Sequence, residues 1–185
     1  MVYILLAPGF EETEAIVPCD MLRRAGVDVR LVGVGGMQIP GSHGIVVQAD
    51  LSLADAAGTL PEMIVLPGGR RGVDSLLASE SAMQLVRETW DAGHFAAAIC
   101  AAPTVLAKLG IASRSRATCY PGLEAQMADA RMEPKPVVTD GRLTTGRAAG
   151  SSMEFGLRLV AVLCGEEAAR KVADGVVYRC PDGLR

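Results

Sequence analysis

Cys100 lies in the stretch "AAAICAAPT", residues 96–104, where an extended apolar run meets a helix-like run and every neighbour is small. A thiolate there could act as a nucleophile toward a carbonyl carbon or a peroxide oxygen. Pro103 fits the first turn of a helix, where its missing N–H costs nothing. The thiol then falls on a sharp strand-to-helix turn, with Ala98 and Ala102 in the places that glycine holds in a G-x-S-x-G nucleophile elbow. A helix N-terminus carries about half a positive charge, so the expectation is a thiol more acidic than the ordinary value of about 8.5. The plain alternative is a buried small hydrophobe, which is what most free cysteines are.

The partners decide between these readings. "GFEETE", residues 9–14, places Glu11, Glu12 and Glu14 at the start of a helix, and for two of them a charged N-terminal turn is account enough. Pro18, four residues after Glu14, cannot donate to the Glu14 carbonyl, and the resulting distortion makes Glu14 the carboxylate expected to turn inward. Beside a sulfur it would tend to keep a proton, because two negative charges in one small site repel. "LPGG" ends in Gly68 and Gly69, whose backbone N–H groups, with that of Ala101, could form an oxyanion hole; a tight turn reads the same way.

Histidine does not supply the base. His94 sits six residues upstream on the same expected strand, about 20 Å away at the wrong end of the sheet. His43, in "IPGSHG", reads as a surface residue unless its loop folds over Cys100, a role a second subunit could supply. "VGVGGMQ" at 32–38 has no helix after it and is not a dinucleotide loop.

The elements that must position these groups alternate in period. Val2–Ala7, Val27–Val34, Ile45–Ala49, Glu62–Leu66, Phe95–Ile99 and Ala117–Cys119 read as strands. Glu11–Ala25, Leu53–Ala57, Val73–Ala78, Ser81–Ala92, Pro103–Leu109, Leu123–Ala130, Gly150–Cys164 and Glu166–Val177 read as helices or helical turns. "DG" joins two short strands, Val137–Thr139 and Arg142–Thr145, as a hairpin, and the serines of "GSS" read as N-caps. Strands alternating with helices imply one α/β domain over residues 1–185, a mostly parallel sheet covered on both faces, with ligands outside the carboxyl ends of the strands.

A net charge of −3 and no Lys/Arg cluster longer than a pair exclude a nucleic-acid footprint. No apolar run is long enough to suggest a membrane span, and "MVYILLAPGFEE" reads as a first strand rather than a leader. Five cysteines, odd in number and without a C-x-x-C pair, read as reduced thiols in a cytoplasmic chain, neither a disulfide framework nor a zinc site.

The motifs "GFEETE", "VPCDMLRRAG", "VLPGG", "AAICAAPTVLA" and "TTGRAAGSSMEFGL" occur in an order that closely resembles the ThiJ/PfpI superfamily, in its DJ-one branch, from residue 1 to 177. The resemblance implies a flavodoxin-like three-layer α/β sandwich with a nucleophile elbow, usually a homodimer with sites near the interface. It makes Cys100 the reactive cysteine, Glu14 the protonated glutamate beside its sulfur, and Gly69 and Ala101 the backbone donors. Arg24 and Arg147 resemble residues at the pocket mouth and dimer contact. Relatives often carry histidine where "ATCYPGL" has Tyr120, and "SRGPG" where this chain has "GRAAG". The implied activity is a cofactor-free glyoxalase or deglycase acting on methylglyoxal or early glycation adducts. The alternative it implies is an oxidative-stress sensor or chaperone-like protein that uses peroxide oxidation of Cys100. No metal or cofactor is expected.

Overall fold

The computed structural model describes residues 1–179; Cys180 and the last residues of the expected domain lie outside the described residues. Eleven strands are present among them: β1 Val2–Leu6, β2 Val29–Gly33, β3 Gln38–Pro40, β4 Val46–Gln48, β5 Leu51–Ser52, β6 Met63–Leu66, β7 Phe95–Ile99, β8 Arg116–Ala117, β9 Arg131–Met132, β10 Val137–Asp140 and β11 Leu143–Gly146. The helices are α1 Glu12–Arg24, α2 Leu53–Ala56, α3 Arg70–Leu77, α4 Glu80–Asp91, α5 Pro103–Lys108, α6 Ser152–Cys164 and α7 Glu166–Gly175.

Seven strands form the central sheet in the order β10-β11-β7-β6-β1-β2-β5. All neighbours are parallel except β10 and β11, which make the hairpin that "DG" announces. Successive residues of a strand point to opposite faces, and the two hydrophobic layers divide accordingly. Tyr3, Leu5, Ile64, Leu66, Ala96 and Ala98 face the layer that contains α3, α4 and α5. Val2, Ile4, Leu6, Val65, Ala97 and Ile99 face α1, α6 and α7. The result is the three-layer sandwich expected, with β1, β6 and β7 buried on both faces as an all-parallel interior requires.

Several local expectations need correction. Residues 123–130 form only a 3-10 turn over Glu124–Gln126; Ala128, with φ 53°, leaves the helical region and stops it. Strand β4 is not part of the main sheet but pairs with β3 in a separate antiparallel hairpin. Ser151 precedes α6 without capping it: its Oγ donates to the Ala148 carbonyl at 2.8 Å and accepts from the Ala148 N–H. Helix α1 runs unbroken through Pro18.

Helix α1 meets α6 at a close crossing. A Cβ on Gly156 would lie 3.0 Å from Pro18 Cα, so glycine there sets how near the two helices come, and with that the depth at which the start of α1 is seated.

Candidate active site

Three strand ends converge at the carboxyl edge of the sheet: the turn after β1 leading into α1, the Pro67-Gly68-Gly69 turn after β6, and Cys100 after β7. The register Leu66↔Ala98 sets the β6 turn beside the cysteine. Cys100 has φ 66°, a left-handed conformation that costs a non-glycine residue of order 1 kcal/mol or more. Its N–H donates to the Gly146 carbonyl at 2.9 Å, and its carbonyl accepts from the Tyr120 N–H at 2.8 Å. These two bonds hold the strained turn, and Ala98 and Ala102, both fully buried, leave room for it. The elbow read from the small neighbours is present, with the thiol half-buried.

Glu14 is fully buried on the first turn of α1. Glu11 caps that turn, its carboxylate accepting the Glu14 N–H at 2.7 Å, while the Glu11 N–H donates to the Gly68 carbonyl. The Gly68 N–H in turn donates to Glu14 Oε2 at 2.8 Å, so this amide serves the carboxyl and not a ligand. Glu14 Oε1 has no partner of good hydrogen-bonding geometry; the Cys100 thiol is the polar side chain that interacts with the carboxyl, in a contact looser than a formed hydrogen bond. The Gly69 and Ala101 N–H groups both reach the sulfur.

Burial pushes the Glu14 carboxyl up to about 7; the Glu11 charge adds to the rise, and the Cys100 and Gly68 contacts offset part of it. Burial also pushes the Cys100 thiol up, to about 12, reinforced by the Glu14 charge beyond what the Gly69 and Ala101 amides restore. The acidic thiolate expected from the helix dipole is therefore corrected. Helix α5 has only six residues, and loss of water around the sulfur outweighs its N-terminal field. Near neutrality the pair is a thiol beside a carboxyl poised to take its proton.

Outside the pair lies a groove of about 520 Å3, whose lining includes Cys100, Ala101, Thr104, Tyr120, Arg70 and Asp74. Tyr120 thus stands in the groove, half-exposed. The other residues singled out do not reach it within one chain. Arg24, at the far end of α1, pairs with Asp20 at 2.9 Å. Arg147 lines a separate cavity of about 170 Å3 with Cys119 and Thr118. His43 is 71% exposed and bonds through Nδ1 to Glu12 Oε2 at 2.9 Å, and His94 bonds to the Pro61 carbonyl at the opposite sheet edge.

Glu12 is the residue that the spacing did not reveal. It is buried and accepts from the Ser42 hydroxyl, the His43 N–H and the Ile45 N–H as well as the His43 ring. Burial raises its carboxyl, but the bonds from His43, Ser42 and its own backbone outweigh that and hold it down at about 2. It tethers the loop 41–45 to the helix that carries Glu14. Glu11, Glu12 and His43 bring ligand-type atoms within 4.8 Å of one another, a grouping these hydrogen bonds explain.

No described helix is long and apolar enough to cross a membrane. The chain matches the family model for the DJ-1/PfpI family over residues 1–162. It is 40% identical to protein dj-1beta of Drosophila melanogaster, covering 94% of this chain and 95% of that one. A protein named as a deglycase in Pyrococcus abyssi is 31% identical over 80% of this chain and 90% of its own. Among solved structures, Drosophila DJ-1beta superposes with a TM-score of 0.92 at 38% identity, covering 97% of this chain and 98% of that one. An oxidized Toxoplasma gondii DJ-1 gives 0.93 at 29% with the same coverage. With its flavodoxin-like sheet, its elbow cysteine and these relatives, the chain belongs to the DJ-1/PfpI family.

Proposed function

We propose that the protein is a cysteine-dependent glyoxalase or deglycase acting on methylglyoxal or its early adducts. The observation that carries this reading is the buried Glu14 carboxyl, raised to about 7 beside the Cys100 thiol. A general base is most effective when its pKa lies near the working pH. Glu14 as carboxylate takes the thiol proton while the sulfur adds to the aldehyde carbon, and returns that proton to the aldehyde oxygen, leaving a hemithioacetal. The Gly69 and Ala101 amides, which reach the sulfur in the resting state, are near enough to stabilise the developing oxyanion. Glu14 then removes the proton from the former aldehyde carbon and delivers it to the neighbouring carbon through an enediol. The product is a thioester of lactate on Cys100, which water cleaves to lactate and free thiol. Carbon oxidation at one centre balances reduction at the next, and every proton is returned. On an amine or thiol adduct the same attack releases the amine or thiol first.

The test is lactate formation from methylglyoxal by the purified protein in a reduced buffer, since the reading places the chain in the cytoplasm. Wild type should turn over above buffer, and Cys100→Ser and Glu14→Gln should not. Turnover retained by Cys100→Ser sinks the proposal.

A second reading is favoured by the likeness to a relative solved in an oxidized form. Cys100 would be oxidised by hydrogen peroxide to sulfenic and then sulfinic acid, each step releasing water, with Glu14 hydrogen-bonded to the product. Peptide mass after peroxide treatment distinguishes it: a gain of two oxygens at Cys100 and at no other cysteine is the expected signature. For either reading we place the active form in a homodimer, supported by exposed Ile16, Ile45 and Val46 on and beside α1.

A further inference from the structure

The groove that holds Cys100 is larger than a bare dicarbonyl needs. Its volume of about 520 Å3 falls in the range of pockets that enclose an extended ligand, and a triose-sized molecule fills a small part of it.

Arg70 and Asp74 line it, one turn apart on α3, a spacing that puts both on one helix face. Neither side chain has an ion pair or hydrogen bond among the described residues, with the other or with any third group. Helix stability does not account for the arrangement. The first turn of a helix favours carboxylates, yet α3 opens with Arg70 and Arg71 and has no acidic residue in that turn. A cation four residues before an anion is also the weaker order for a pair on a helix. Arg70 directly follows Gly69, whose N–H reaches the Cys100 sulfur, so the two opposite charges line the same groove as the reacting atom, Asp74 one helical turn further along.

We propose that Arg70 and Asp74 bind the α-carboxylate and α-ammonium groups of a free amino acid, so that the substrate is a carbonyl adduct carried on an amino-acid side chain. A ligand of single charge would satisfy one of the two and face a like charge at the other. A zwitterion satisfies both, and the remaining length of the groove toward Cys100 takes the side chain with its adduct. The inference rests on the reading of Cys100 as a nucleophile toward carbonyls, but binding can be measured without turnover.

The probe is S-(2-hydroxypropyl)cysteine, a stable thioether alcohol of the same shape as the adduct, compared with its N-acetyl acid, its methyl ester and its N-acetyl methyl ester. Binding is followed by calorimetry on Cys100→Ser, and by protection of Cys100 from iodoacetamide, read by peptide mass, on the wild type. The zwitterion should bind tightest, with about a fivefold loss when either end is neutralised. Arg70→Gln should erase the penalty for esterification, and Asp74→Asn the penalty for acetylation. Equal binding of the neutral compound overturns the proposal, as do absence of binding by any of the four and penalties unchanged in the variants. So does an N-acetyl acid that binds as well as the zwitterion, which would mark an anion site only. Because the calorimetry needs no sulfur chemistry, failure of the lactate assay with this order intact would sink the catalytic reading and leave the recognition standing.

Discussion

Gly68 and Glu14 compete for the same space around one oxygen. The Gly68 N–H donates to Glu14 Oε2 at 2.8 Å, and a Cβ on Gly68 would lie 2.5 Å from that oxygen and 2.8 Å from Cys100 Cβ. Gly68→Ala is therefore expected to push the carboxyl away from the thiol. Activity should fall on the order of 100-fold, the usual weight of a positioned acid-base group, for a stability loss of about 1–3 kcal/mol. Lactate kinetics beside a thermal melt check it; a Gly68→Ala variant with full activity would mean that the Glu14 position does not matter.

The two raised groups make a prediction that runs against the usual link between acidity and reactivity. The Glu14 charge is one cause of the high Cys100 value, so Glu14→Gln should lower the thiol from about 12 while abolishing turnover. Mass-resolved alkylation of Cys100 across pH reads the first effect and the lactate assay the second. A thiol unchanged or raised in Glu14→Gln contradicts the electrostatic account.

The same carboxyl sets a pH dependence with two opposite signs. Activity should rise as pH climbs through about 7 and Glu14 becomes a base. Stability should move the other way, because the folded value lies above the unfolded one, near 4.5. Between those values the folded state holds more protons than the unfolded state, so stability falls with rising pH by up to about 3 kcal/mol. Denaturant unfolding at pH 5 and pH 8 should show that loss in wild type and little of it in Glu14→Gln.

What the sequence reveals of this site follows from how local each cause is. Strand β7 and the elbow after it are legible because apolar length, small flanks and Pro103 all lie within ten residues of Cys100. The inward turn of Glu14 does not follow from Pro18, since α1 runs unbroken through it; the Glu11 cap and the Gly68 amide, the latter from a distant turn, seat the carboxyl. The role of Glu12 is not legible either, since its partners Ser42 and His43 lie about thirty residues on in a hairpin whose three-residue strands carry too little alternation to show a period. The thiol's acidity is not legible for a related reason: a helix N-terminus can be seen in spacing, but the burial that outweighs it comes from turns brought together by the sheet.

Glu12 supplies a further test. Its folded value of about 2 lies below the unfolded 4.5, so the tether contributes stability above pH 4.5 that is lost as pH falls toward 2. Glu12→Gln should remove that acid-range loss and speed hydrogen exchange in residues 41–45 at neutral pH. Exchange no faster than wild type would show that the hairpin holds the loop without it.

The exposed apolar residues beside that tether test the homodimer. Ile16 stands one turn after Glu12 on α1, and Ile45, 58% exposed like Val46, donates its N–H to the Glu12 carboxylate. The three thus flank one buried anchor, and large apolar side chains grouped on a surface mark an interaction face. Wild type is expected to sediment as a dimer at micromolar concentration, and Ile45→Lys with Val46→Lys as a monomer that keeps its melting transition. A wild-type monomer would remove the dimer, and with it any route by which a second subunit's His43 loop or Arg24 could reach the Cys100 groove.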